Sequence, residues 1–135
     1  MFVCGFSFQD MKTFVEGIFS EGNPIESDDF LRSLVQAVFS FKSLRNDLTF
    51  KDLFDQTGKK LVVAVTDLSC ASIQYISYET HGDFPVIPVV VGSMSLPFQF
   101  KPVEYKSHVW VDGGLCDLFP IHLGDPKSTL GFQVQ

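Results

Sequence analysis

Leu61-Val62-Val63-Ala64-Val65-Thr66 is the stretch on which the fold turns. It is apolar but for its last residue and rich in β-branched side chains, with no polar alternation. That is the pattern of a strand buried on both faces, and it reads as a central strand of a parallel-type sheet spanning residues 60–66. Downstream, Ile73, Tyr75 and Ser77 alternate with Gln74, Ile76 and Tyr78, which predicts a neighbouring strand over 73–79 after a turn at 67–72. His108-Val109-Trp110-Val111 is a third strand, ending at Asp112-Gly113-Gly114, and residues 129–134 form a fourth candidate.

Upstream the periodicity is helical. Phe14, Val15, Ile18 and Phe19 share one face of a helix over about residues 9–19, stopped by the turn residues Glu21-Gly22-Asn23-Pro24. Ser27 is a good N-cap, Asp28 and Asp29 suit the positive end of a helix dipole, and Leu31, Leu34, Val35, Val38 and Phe39 follow at spacings of three and four, predicting a helix over 27–43. Thr49 caps a short helix through Asp52-Leu53-Phe54 that Gly58 ends. Residues 85–94 are ambiguous: Val86, Ile87, Val89, Val90 and Val91 score as strand, while Pro88 argues against a central one. The elements are mixed α/β, without repeat or linker.

At 135 residues, 45% hydrophobic and 19% charged, the chain fits one domain. A chain of this size buries roughly 65–70% of its unfolded surface, so its core needs no disulfide or metal staple. The net charge of −6 and scattered basic residues, with no run longer than Lys59-Lys60, exclude nucleic acid and a polybasic membrane anchor. Cys4, Cys70 and Cys116 lack metal-ligand spacing and read as buried free thiols of a reduced compartment. His81 and His108 read as solvated or satisfied side chains, and no metal and no cofactor are expected. The N-terminus lacks a charged leader, and the longest apolar stretch, residues 84–100, is broken by Pro85, Pro88 and Pro97. Neither a signal peptide nor a spanning helix is expected, which points to an intracellular location, cytoplasmic or peripheral to a membrane.

Val109-Trp110-Val111-Asp112-Gly113-Gly114-Leu115 places an acid at a strand end with two glycines behind it. The position exposes the carboxylate, and the glycines permit a tight turn and close backbone approach. Alone, the motif is an ordinary turn; its company gives it meaning. Thr49-Phe50-Lys51-Asp52-Leu53, Thr57-Gly58-Lys59-Lys60-Leu61-Val62-Val63 and Thr66-Asp67-Leu68-Ser69 are followed by Tyr78-Glu79-Thr80 and Gly92-Ser93-Met94-Ser95-Leu96-Pro97-Phe98. Phe100-Lys101-Pro102-Val103, Val111-Asp112-Gly113-Gly114 and Phe119-Pro120-Ile121 complete the series. In this order the series resembles the patatin-like phospholipase domain family, most strongly over residues 48–121 of a match that takes in 1–135. The outer matches, Gly5-Phe6-Ser7-Phe8-Gln9-Asp10-Met11 and Thr129-Leu130-Gly131-Phe132, are looser.

The resemblance implies an α/β fold, here part of a patatin-like three-layer α/β/α sandwich, and makes residues 85–94 a helix with Pro88 tolerable only in its first turn. It implies acyl-ester hydrolysis of lipids by a Ser/Asp dyad: a GxSxG serine attacks the carbonyl, the Asp of the DGG motif takes its proton, and a glycine-rich loop holds the oxyanion. Asp112 matches the dyad acid, with Gly113 and Gly114 supporting it. The implied partner is a phospholipid or other acyl ester, with a membrane surface as one place to meet it.

The departures are as informative. The 135 residues contain no GxSxG; Gly5-Phe6-Ser7-Phe8-Gln9 and Gly92-Ser93-Met94-Ser95-Leu96 both lack the second glycine. The resemblance therefore describes an incomplete domain, inactive alone, whose nucleophile an upstream segment or a second chain would supply. Val91-Gly92-Ser93 stands where members often carry Arg-Ala-Ser, and Asp117-Leu118 where they carry an Asn pair, which relaxes the demands on the site. The alternative is a catalytically inactive lipid-binding or protein-interaction module on the same scaffold; an unstable product without function is a third reading. A cysteine set of Cys116, His122 and Asp112 has only sequence proximity behind it, against a buried Cys116 and a surface His122.

Overall fold

The computed structural model describes residues 28–132. The expected helix over 9–19, the Ser27 cap and Cys4 lie outside them. Helix α1, Asp28–Phe41, buries Leu31, Val35 and Phe39, one residue per turn along a single stripe. It ends at Ser43, whose φ of 55° is left-handed; Leu44 N donates to Phe39 O and Ser43 N to Ser40 O, the paired bonds of a Schellman closure.

Helix α2, Phe50–Thr57, starts where the sequence places it. Thr49 and Asp52 form a reciprocal capping box, each side chain accepting from the other's backbone N–H at 3.2 Å. Gly58, at φ 67°, closes the helix by donating to Phe54 O. Phe50 and Leu53 are its buried residues.

The strands are β1, Val63–Asp67; β2, Ser72–Ile76; β3, Val103–Tyr105; and β4, His108–Asp112. They lie in the order β2-β1-β4-β3, and every pairing is antiparallel. Strand β1 is central as expected, with Val63 and Val65 buried, but it is not parallel to either neighbour. An unbroken apolar run reports cover on both faces, not strand direction, and the short turn from Asp67 to Ser72 permits only a hairpin. Strand β3 escaped the sequence reading because it is three residues long; Lys106, at φ 51°, turns it into β4. The fourth strand expected over 129–134 is not formed within its described part, residues 129–132, which are irregular and exposed.

A one-turn helix α3, Tyr78–His81, precedes α4, Val86–Met94. The latter is the valine-rich stretch whose propensity says strand. Val86, Ile87, Val89, Val90, Val91 and Gly92 are all buried, so α4 is apolar almost all round, packed between α1 and the sheet. Pro88 sits in the first turn, where an absent N–H breaks no intrahelical bond, and Val86 N is satisfied by Leu48 O at 2.9 Å. Burial here overrides the β preference of valine. Gly92 allows the helix to seat: a Cβ there would lie 2.8 Å from Cβ of Trp110, a fully buried residue of β4. The fold class is α/β, as expected.

Candidate active site

The candidate site is the end of β4 and the turn after it. Asp112 closes β4 opposite Val65 of β1 and is half-buried. Its backbone is held from two sides. The amide donates to Ser95 O at the end of α4, 3.0 Å away, and its carbonyl accepts from the Thr66 hydroxyl at 2.9 Å. Ser95 is buried and its own hydroxyl is satisfied by Val91 O at 2.8 Å. The strand end is thus fixed to both the helix and the sheet beneath it.

The carboxylate is less occupied. Oδ1 accepts from Gly114 N at 2.7 Å, capping a single turn of 3-10 helix, Gly113–Leu115, while Oδ2 accepts no hydrogen bond from the described residues. The two glycines serve different needs. At Gly113 an added Cβ would lie 2.3 Å from Ala64 O, so the turn can rest on β1 only without a side chain. At Gly114 it would lie 2.9 Å from Asp112 Oδ1 and 3.1 Å from the end of the Leu118 side chain. The Ser93 hydroxyl donates to the same Ala64 carbonyl at 2.7 Å, tying α4 to the strand under the turn.

The neighbouring side chains are mixed. Asp117 N donates to Gly113 O, and the Asp117 carboxylate accepts from the Tyr75 hydroxyl at 2.6 Å and from Phe119 N at 3.2 Å. The hydrogen bond to Asp117, with that group's charge, holds the Tyr75 phenol above its ordinary pKa. His122, in the 3-10 turn Ile121–Leu123, faces Asp117 at 3.7 Å. It is a surface histidine as expected, but Cys116 is exposed, not buried, and so is Cys70. Both lie in or next to a turn, where no core reaches them. Leu115, Leu118, Ile121 and Leu123 are exposed beside the turn.

The opposite end of the same two strands holds a second acid. Asp67 is fully buried. It accepts from His108 Nδ1 at 2.6 Å, Ser69 N at 2.9 Å, the Ser69 hydroxyl at 2.5 Å and Val109 N at 3.4 Å. Burial alone would push its pKa up, but the bonds from Ser69 and His108 outweigh that and hold the carboxyl below its ordinary value. His108 is therefore a satisfied side chain.

Sequence reading missed Ala64, Ser93, Ser95 and Tyr75 as parts of this neighbourhood. Ser93 and Ser95 stand in a segment that signalled itself through the ordered series, but Ala64 contributes only a carbonyl and Tyr75 only a contact distant in sequence, neither visible in a local pattern.

Among the described residues no helix is long and apolar enough to cross a membrane. The family model of the patatin-like phospholipases matches residues 6–125, and the chain belongs to that family. It is similar to the "Probable lipid hydrolase 463L" of Invertebrate iridescent virus 6, with 28% identity over 104 residues, 77% of this chain and 36% of that protein. The chain thus spans about a third of the length of that relative.

Proposed function

We propose that this chain is the acid-bearing part of a lipid acyl-ester hydrolase, an incomplete patatin-like domain in which Asp112 is the base of a Ser/Asp dyad and Gly113 and Gly114 shape its turn. The observation that carries the reading is the state of Asp112: its backbone is anchored to α4 and β1 while one carboxylate oxygen takes no bond from the described residues. A dyad base needs a fixed position and a free acceptor. Membership of the family and the lipid hydrolase relative support a lipid ester as substrate.

In the step proposed, the hydroxyl of a serine outside the motifs of this chain attacks the ester carbonyl, and its proton passes to the carboxylate of Asp112. The tetrahedral intermediate collapses to an acyl-serine as Asp112 returns the proton to the leaving alcohol, and water, giving its proton to Asp112 in turn, then cleaves the acyl group and restores the serine. The nucleophile comes from an upstream segment or a second chain. The exposed Leu115, Leu118, Ile121 and Leu123 beside the turn favour contact with a lipid surface, and they equally support a second reading, a lipid-binding module without catalysis.

The test is hydrolysis of a short-chain chromogenic ester by the 135-residue chain and by a form extended upstream to include a GxSxG. Activity in the extended form alone, lowered by about a thousandfold in Asp112→Asn, is expected, since the change removes the base and little volume. Retained activity in Asp112→Asn overturns the dyad assignment. Silence in the extended form, with binding to phospholipid vesicles that survives Asp112→Asn, establishes the second reading instead.

A further inference from the structure

Among the described residues the turn that carries Asp112 has no apolar anchor on its outer side, because Leu115, Cys116 and Leu118 are all exposed. What holds it there is polar. Asp117 N closes the turn on Gly113 O at 2.9 Å, Asp117 Oδ1 accepts from Phe119 N at 3.2 Å, and Asp117 Oδ2 accepts from the Tyr75 hydroxyl at 2.6 Å. The Asp117 side chain is 20% exposed, and its bond to Tyr75 is part-buried. His122 flanks the bond, its ring edge-on to Tyr75 at 5.6 Å.

Tyr75 stands on β2 directly opposite Ala64 of β1. Ala64 O is the atom on which the bare face of Gly113 rests and to which Ser93 donates. One rung of the β1–β2 hairpin therefore touches the turn twice: beneath, through the Ala64 carbonyl, and from the side, through the Tyr75 hydroxyl.

We propose that Tyr75 and Asp117 are positioning residues that clamp the Asp112 turn onto the β1–β2 hairpin. The functional meaning of the clamp rests on the reading of Asp112 as the dyad base, but its physical content does not. A hydrogen bond to a charged acceptor is among the stronger ones. Asparagine at 117 would keep the clamp, since its amide oxygen can accept from Phe119 N while its NH2 donates to the Tyr75 oxygen.

The test is amide hydrogen exchange of the 135-residue chain by NMR, read at Gly114, whose N–H is bonded to Asp112. Tyr75→Phe and Asp117→Leu are expected to speed exchange at Gly114 by about tenfold or more and to move its resonance, with the amides of β1 and β4 unchanged. Asp117→Asn is expected to restore both readouts. The raised Tyr75 phenol titration, followed by ultraviolet absorbance, should fall in Asp117→Leu.

Exchange at Gly114 unchanged in both Tyr75→Phe and Asp117→Leu overturns the clamp, and so does uniform acceleration across the sheet, which would make the contact merely structural. These readouts need no nucleophile. A failed dyad assignment would show in the hydrolysis of Asp112→Asn and leave the Gly114 result standing.

Discussion

Strands β1 and β4 share a ladder with an aspartate at each end, and the two acids are held in opposite ways. Asp67 is fully buried and takes four hydrogen bonds, from His108, Val109 and Ser69. Asp112 is half-buried and its carboxylate takes one from the described residues, from Gly114 N. The same residue type on the same pair of strands is spent in one place on structure and kept open in the other. A carboxylate with all its lone pairs engaged has nothing left to accept a proton from a substrate or nucleophile, whereas one with a free oxygen does.

The contrast is broken most directly by deleting each carboxylate. Asp67→Ala should cost about 3 kcal/mol, because it strands the N–H of Val109 and the ring of His108 in a partly buried site. Asp112→Ala should cost less than about 1 kcal/mol, since a half-exposed turn loses a single bond. Urea denaturation of the two variants measures both, and equal losses would mean that Asp112 is as structural as Asp67.

The glycines of the turn come next in size. Gly113→Ala drives a Cβ to 2.3 Å from a strand carbonyl, a backbone atom that cannot step aside, and a loss of about 2–3 kcal/mol is expected. Gly114→Ala meets the ends of two side chains instead, at 2.9 and 3.1 Å, and both can rotate, so about 1 kcal/mol or less is expected. Reversal of that order in thermal unfolding would remove Ala64 as the seat of the turn.

Acid separates the two ends in another way. The folded Asp67 carboxyl lies below the ordinary carboxylate value of about 3.9, so as pH falls the unfolded chain takes up its proton first. The stability that Asp67 supplies is present above about pH 4 and drains away as pH drops through its folded pKa. Wild-type unfolding free energy should therefore fall below about pH 4 more steeply than that of Asp67→Asn. A parallel fall in the two would show that other carboxylates govern the acid limb.

The legibility of this molecule in its sequence follows the same division. Local devices were readable: the Thr49 cap, the Gly58 stop, the stripe of α1 and, to within one residue, the strand ends expected at 66 and 111 all depend on neighbours within a turn or two. Features decided by cover from elsewhere were not. The valines of α4 read as strand by propensity, and only the ordered motif series implies a helix, because their burial comes from α1 on one side and the sheet on the other. Strand direction at β1 was misread for the same reason, and the exposure of Cys70 and Cys116 depends on turns that present nothing to the core. Asp112 was found from its motif; the groups that bond its backbone, Ser95 O and the Thr66 hydroxyl, come from residues 17 and 46 positions away.

The smallest expected difference between the two ends lies in their serines. The Ser69 hydroxyl donates to a buried carboxylate, the Ser93 hydroxyl to a neutral carbonyl at 2.7 Å. Charge-assisted bonds are worth roughly twice neutral ones, so Ser69→Ala should cost about 1.5 kcal/mol and Ser93→Ala about 1 kcal/mol. These magnitudes nearly overlap, and the acid limb separates them. Ser69→Ala takes from Asp67 one of the bonds that hold its pKa down, which raises the lower end of the acid limb and makes the limb shallower. Ser93→Ala touches no titrating group and should lower the whole stability curve without moving that limb. A shifted limb in Ser93→Ala would mean that the two ends of the ladder are coupled through β1, and that the acid at one end is not independent of the acid at the other.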